Sequence, residues 1–180
     1  MTVRGPRSPR CGAALGELGI ILDGAMLVRD GRIVAVGQGR RVENLADARS
    51  AAEIDATGKV VLPGFVDCHT YLLPADPRAI PSRTLERKAR DRVNLFVRHG
   101  TTTLEAKATQ AKTLRVLAKL DNSPITAVPT YFASPAHARP GAEAEEMLPA
   151  VSRLRLARFV DVDCGRRGFR LEDARRAAWD

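Results

Sequence analysis

The stretch Val60-Val61-Leu62-Pro63-Gly64-Phe65-Val66-Asp67-Cys68-His69-Thr70-Tyr71 constrains this chain more than any other. An apolar run gives way to a polar cluster of Asp67, Cys68 and His69. Runs rich in Val, Leu and Phe read as buried strands, the pattern of parallel sheets with both faces covered. The polar residues then lie at the C-terminal end of that strand, where α/β proteins gather their chemistry.

Downstream the pattern alternates between strand and helix. Residues 72–81 carry three prolines and read as a loop. Ser82 is suited to cap a helix whose apolar positions, Leu85, Ala89, Val93 and Phe96-Val97, recur at helical spacing. Gly100 ends it, with Arg98 and His99 in the last turn, where positive charge suits the helix dipole. Residues 101–106 read as a β-branched strand and residues 110–120 as a helix with Leu114, Leu117 and Leu120 on one side. A third strand is expected at 125–132 and a third helix from Glu143 to Leu154, which Pro149 should bend or deprive of one hydrogen bond. Residues 159–162 and 171–179 make a fourth strand and a fourth helix.

Upstream, two β-rich runs at 25–28 and 32–36 meet at Asp30-Gly31, a strong hairpin signal, with Asp23-Gly24 as a second turn. Residues 40–52 are polar and Ala-rich, a loop with a short helical turn. Ile54 is expected to start a strand that Thr57-Gly58 turns into the opening run. The fold class is therefore α/β: a small antiparallel β domain (residues 1–60), then about half of a parallel β/α barrel (residues 61–180) with four βα units. A half barrel leaves two strand edges and an apolar face open, so such a chain is expected to dimerise, to pair with another polypeptide that completes it, to rearrange into an open sheet, or to fold poorly as a truncated product.

Composition excludes several classes. No apolar run approaches the ~18 residues of a membrane span, and the charged N-terminus precedes no signal-peptide core. Cys11, Cys68 and Cys164 show no CxxC spacing, so neither a disulfide framework nor a zinc knuckle is indicated, and the cytoplasm is the default. The net charge of +8 is scattered. Its densest stretch, Arg83, Arg87, Lys88, Arg90, Arg92 and Arg98, lies on a helix without interleaved aromatics, which reads as a solvated face and not a nucleic-acid interface. Asp67 and Cys68 read as structural, with no base placed to activate the thiol. Glu105 and Lys107 alternate onto one face of a strand, where a structural ion pair is expected.

Residues 55–70, Asp-Ala-Thr-Gly-Lys-Val-Val-Leu-Pro-Gly-Phe-Val-Asp-Cys-His-Thr, resemble the barrel entry of the metal-dependent amidohydrolase superfamily. That family reads Pro-Gly, two apolar residues, then Asp-x-His-x-His. Within it the chain is most similar to the imidazolonepropionases of histidine degradation. The matching segments are residues 4–7, 18–24, 100–107 (Gly-Thr-Thr-Thr-Leu-Glu-Ala-Lys), 146–151 and 159–164 (Phe-Val-Asp-Val-Asp-Cys).

The resemblance implies hydrolysis of a C–N bond in a small cyclic amide by water activated on zinc or iron. It makes His69 the first metal ligand. Tyr71 stands where the second ligand His belongs, and a phenol with a pKa near 10 is a poor ligand. The remaining ligands, a His and an Asp, would fall beyond Asp180, so the metal is not expected to be retained by this chain alone. Arg78, nine residues after His69, matches an Arg that contacts the substrate carboxylate, and His137 a His that binds the substrate ring. No catalytic residue is assigned. The family's Gly-Tyr-Gly segment is replaced by Ala-Thr-Gln after Lys107, and Gly165 replaces a Glu. The expected function is thus a truncated amidohydrolase that does not catalyse by itself. The alternatives are a degenerate fragment that binds a small carboxylate and, on net charge alone, a basic nucleic-acid-binding module.

Overall fold

The computed structural model describes residues 1–3, 5, 8–120, 124–135 and 147–179, the side chains of 176–179 excepted. The chain divides into two compact units, Met1–Pro63 and Gly64–Asp180.

In the first unit β1 (Gly24–Arg29) and β2 (Arg32–Gln38) form an antiparallel pair whose last register partners are Arg29 and Arg32. Asp30 and Gly31 fill the two-residue turn at φ 51° and 71°, the left-handed pair that matches strand twist. A bulge interrupts the ladder between Leu27 and Val28. α1 (Gly39–Glu43) follows directly, and Leu27 and Val42 are the buried apolar side chains of this unit. Residues 51–64 form no strand, contrary to the expectation at Ile54 and through residues 60–64. Val60, Val61 and Leu62 are exposed, and Pro63 cannot donate to a ladder.

The second unit comprises β3 (Phe65–Thr70), α2 (Ser82–Arg98), β4 (Thr101–Ala108), α3 (Ala111–Ala118), β5 (Thr126–Ala133), α4 (Leu148–Arg153), β6 (Phe159–Val162) and α5 (Leu171–Trp179). The four strands pair in parallel in chain order, β3-β4-β5-β6, as successive βα units dictate. The register slants: Phe65 lies level with Thr101 of β4, whereas Phe159 lies level with Thr130, itself level with Lys107. A shear of this kind is what lets a sheet curl towards a barrel. The unit is half of a parallel β/α barrel.

The core lies on the helix side of this sheet. Leu85, Ala89 and Val93, four residues apart on α2, meet Leu104 and Ala106 of β4, Leu114 and Leu117 of α3, and Tyr131 of β5 in one cluster. Each fully buried Leu contributes about 1.5–3 kcal/mol relative to exposure. Pro81, not Ser82, holds the capping position of α2: its carbonyl accepts from Thr84 and Leu85 at 3.0 and 3.1 Å. Gly100 takes φ +85° at the other end. Pro149 falls in the first turn of α4 as described, a position that favours proline. Residues 143–146, expected to open this helix, lie outside the described residues.

β3 is an edge strand, and Phe65 and Val66 are exposed instead of buried. Burial on both faces requires neighbours on both faces, and β3 has only β4 beside it. The Pro-Gly pair ahead of it has a steric reason: a Cβ at Gly64 would run into the side chain of Thr102.

Candidate functional site

Alternation along β4 sends Leu104, Ala106 and Ala108 into the core and Glu105 and Lys107 to the opposite, barrel-facing side. At the C-terminal ends of the strands that side carries Tyr71 just after β3, Lys107 on β4, Phe132 on β5 and Asp161 on β6. The Lys107 side chain is only 7% exposed and forms an ion pair with Asp161, which is 39% exposed. The expected Glu105–Lys107 pair is absent among the described residues. Residues two apart on a strand point the same way without meeting, and the long lysine stem reaches past the Thr130 level to the next row, where Phe132 lies level with Asp161. The ammonium also lies 5.7 Å from the Phe132 ring centre. Burial pulls the Lys107 pKa down, but the Asp161 carboxylate outweighs it, so the net shift is upward and the side chain stays charged.

Two hydrogen bonds from Arg92 on α2, both 3.1 Å, hold the carbonyls of Tyr71 and Leu72. The Tyr71 ring meets His69 edge-on at 5.6 Å and Phe132 at 6.1 Å. Burial pushes its phenol pKa up against the opposing field of Lys107, so the phenol stays protonated. Beside this group opens a mainly apolar cavity of about 330 Å³, walled in part by Tyr71, Leu73, Lys107, Thr113 and Phe132. Ser134 donates to Asp163 at 3.0 Å at the far edge.

The residues expected from sequence are not all gathered here. His69 is exposed, and its backbone N–H donates to Asp67 at 3.0 Å, which gives Asp67 its structural role. Arg78 lies in the loop after β3 with its side chain 79% exposed. Its fork is closed on Asp76, from Nε at 2.9 Å and Nη2 at 2.8 Å. Those bonds hold the Asp76 carboxyl well below the usual range. Arg78 is not among the residues walling the cavity. His137 lies outside the described residues.

Among the described residues no three of His, Cys, Asp and Glu lie close enough to hold a metal ion. His69 offers one imidazole and Tyr71 a neutral phenol, so these residues alone do not fit a zinc or iron site. Sequence alone does not single out Thr113, Phe132 or Asp161. The one usable signal was the alternating Val160-Asp161-Val162-Asp163, which turns both carboxylates to one side at the end of β6, across β5 from the lysine of β4.

No family model matches the chain. Curated imidazolonepropionases do. That of Solibacter usitatus is 34% identical over 226 aligned residues, taking in 97% of this chain and 53% of the relative. That of Chloroflexus aggregans is 33% identical over 235, taking in 98% and 54%. That of a Geobacillus species is 34% identical over 213, taking in 89% and 50%. The chain spans about half the length of the curated relatives it matches. Since 97% of 180 residues cannot fill 226 positions, the Solibacter protein carries about 50 residues within the match that this chain lacks. Sequence and architecture agree: over nearly all of its length the chain is similar to curated imidazolonepropionases, and its second unit is half of a parallel β/α barrel.

Proposed function

We propose that this chain serves a hydrolase that opens a non-peptide C–N bond in a small cyclic amide bearing a carboxylate, imidazolone propionate of histidine degradation, and that it does not catalyse by itself. The observation that carries this reading is the site at the C-terminal ends of four parallel strands, in a chain matched over 97% of its length by an imidazolonepropionase. Hydrolysis of an amide-type C–N bond needs an activated water, which zinc or iron supplies in a complete barrel. Of the metal ligands, the described residues contribute His69 alone. A second copy or another chain would supply the other strands, with units 1–60 and 61–180 acting as side domain and barrel half. We place the protein in the cytoplasm; no helix among the described residues is long and apolar enough to cross a membrane. A second reading, a non-catalytic binder of small carboxylates, is favoured by the buried Lys107 beside an apolar cavity.

The test uses metal content and turnover together. After exposure to zinc or ferrous iron and exhaustive buffer exchange, the chain is expected to hold near-zero metal and to leave imidazolone propionate unchanged. Tyr71→His alone is expected to stay inactive, and to turn over when combined with the other half of a curated relative. One tightly held metal and turnover by the lone chain would sink the account of an incomplete site. Silence of the combined Tyr71→His complex, once association is demonstrated, would sink the hydrolase reading.

A further inference from the structure

The chain carries 29 basic and 21 acidic residues, and the excess is not spread evenly over the fold. Nine of the basic residues and two of the acidic ones lie on α2 and on α3 with its C-terminal capping residue Lys119. Elsewhere 20 basic and 19 acidic residues nearly cancel, so these two neighbouring helices hold +7 of the net +8. Read by itself, α2 is a solvated basic helix; packing places the basic residues of α3 beside it. Leu85, Ala89 and Val93 fix the buried side of α2. At about 100° per residue, Arg83, Arg87, Arg90 and Arg98 fall on the opposite side, in one stripe about 22 Å long. All four are exposed. Arg87 pairs with Asp91 at 3.3 Å, whereas Arg83, Arg90 and Arg98 make no hydrogen bond or ion pair among the described residues. On α3 the burial of Thr113, Leu114, Val116 and Leu117 turns Arg115 outward, exposed and likewise without such a partner among the described residues. Between the two helices runs a groove of about 180 Å³ bordered by Ser82, Glu86, Lys112, Arg115 and Lys119. The one carboxylate on that border, Glu86, is already paired with Lys119.

We propose that the outward face of α2 and α3 binds the phosphate backbone of a nucleic-acid duplex without reading its sequence. A guanidinium fork matches a phosphate bidentately, and the face is built mainly of arginines. The stripe on α2 spans roughly six phosphates of one strand at about 3.4 Å each. Phe96, the one aromatic residue of the two helices, packs against the core, so the face offers no platform on which unpaired bases could stack. The apolar side of α2 is buried as well, which leaves no greasy face to enter a bilayer surface. This face lies on the helix side of the sheet and is independent of the hydrolase reading.

The test is fluorescence anisotropy of the full chain with short labelled duplexes of arbitrary sequence. DNA and RNA are run side by side, and the tighter duplex is the partner. Dissociation constants of about 10⁻⁶–10⁻⁴ M are expected at physiological salt, with log K falling against log salt at a slope of about −4, the value for four to five phosphate contacts. Between about 50 and 200 mM salt, binding should therefore weaken about 200-fold. The combined variant Arg83→Gln, Arg90→Gln, Arg98→Gln and Arg115→Gln keeps good helix formers and should fold. It should weaken binding about 30-fold or more and flatten the slope towards −1. A control with Arg32→Gln, Lys59→Gln, Arg153→Gln and Arg166→Gln removes the same charge from exposed positions elsewhere and should stay within about 3-fold of wild type. Equal weakening in the control, or a wild-type slope shallower than about −1, would overturn the face as a binding site. Single strands bound about 10-fold more tightly than the duplex would overturn the duplex as its partner. So would stronger capture by phosphatidylserine vesicles that the face variant abolishes.

Discussion

The Lys107–Asp161 pair permits a test whose outcome depends on burial being unequal at its two ends. Lys107 is 7% exposed and Asp161 39%, so removing either partner leaves a different problem behind. Asp161→Asn strands an ammonium inside the protein; for a fully buried pair this costs about 3–5 kcal/mol, for an exposed pair about 0–1. The half-open Asp161 places the expectation between them, about 2 kcal/mol. Lys107→Met keeps the aliphatic stem and leaves a carboxylate that water reaches, so about 1 kcal/mol or less is expected. The double variant should resemble Lys107→Met, giving a coupling energy equal in size to the Asp161→Asn loss, about 2 kcal/mol. Urea unfolding followed by circular dichroism at pH 7 measures all three. The sign with pH follows from the raised Lys107 pKa, which is above the ordinary 10.5. The pair's contribution is fully present below the unfolded-chain value and is lost as pH rises through the folded one. The gap between wild type and Asp161→Asn should therefore hold from pH 7 to about 10 and narrow above it. A larger loss in Lys107→Met than in Asp161→Asn, or coupling below about 0.3 kcal/mol, would refute the assignment of the lysine as the buried partner.

Leu114, fully buried between α3 and the sheet, should cost about 2–5 kcal/mol as Ala in the same urea assay. Thr130 buries a hydroxyl that has no partner among the described residues. Thr130→Val is therefore expected to be neutral or to stabilise by up to about 1 kcal/mol, and a clear loss would mean the hydroxyl is bonded. Arg78 holds the Asp76 carboxyl pKa below its ordinary 3.8. Carboxyl NMR titration of Arg78→Ala should raise the Asp76 pKa towards the usual range but leave it lowered, because the backbone N–H of residue 78 still donates to Asp76 at 3.1 Å. Since a lowered pKa stabilises only above the unfolded value, any effect of Arg78→Ala on stability should fade as pH falls through the acid range.

Local rules made the hairpin and the helices legible. Asp30-Gly31 needs two left-handed residues whatever surrounds it, and α2 buries Leu85, Ala89 and Val93 at the spacing the sequence displays. What stayed hidden depends on neighbours. The run at 60–71 reads as a buried strand because of its side chains, but burial is conferred by the layers on either side, and β3 lies at a sheet edge. Lys107 reads as a partner for Glu105 by alternation, while the actual partner comes from β6, 54 residues away, through a register that no local pattern contains. Arg78 was expected by resemblance to hold a substrate carboxylate, yet its fork is engaged by Asp76, two residues away, a short-range competitor visible in the sequence.

The division of this sheet into a packed side and an open side explains how chemistry can drift without the fold following. Leu104, Ala106, Ala127, Tyr131 and Ala133 are sealed beneath the helices, and each is fixed by its volume. Tyr71 is on the other side, 41% exposed, touching His69 and Phe132 only through ring edges. Its backbone is set independently by Arg92, whose bonds go to carbonyls and are indifferent to the side chain. Edge-to-face contacts contribute about 0.5–1.5 kcal/mol each when buried, and less at this exposure. Tyr71→His, which puts a second imidazole where the family's metal pattern has one, should therefore cost less than about 1 kcal/mol. The cost should be the same with and without zinc if the lone chain gathers no further ligands. A loss above about 2 kcal/mol would mean that Tyr71 belongs to the core. A zinc-dependent gain in stability would mean that His69 and the new imidazole find a third ligand within this chain.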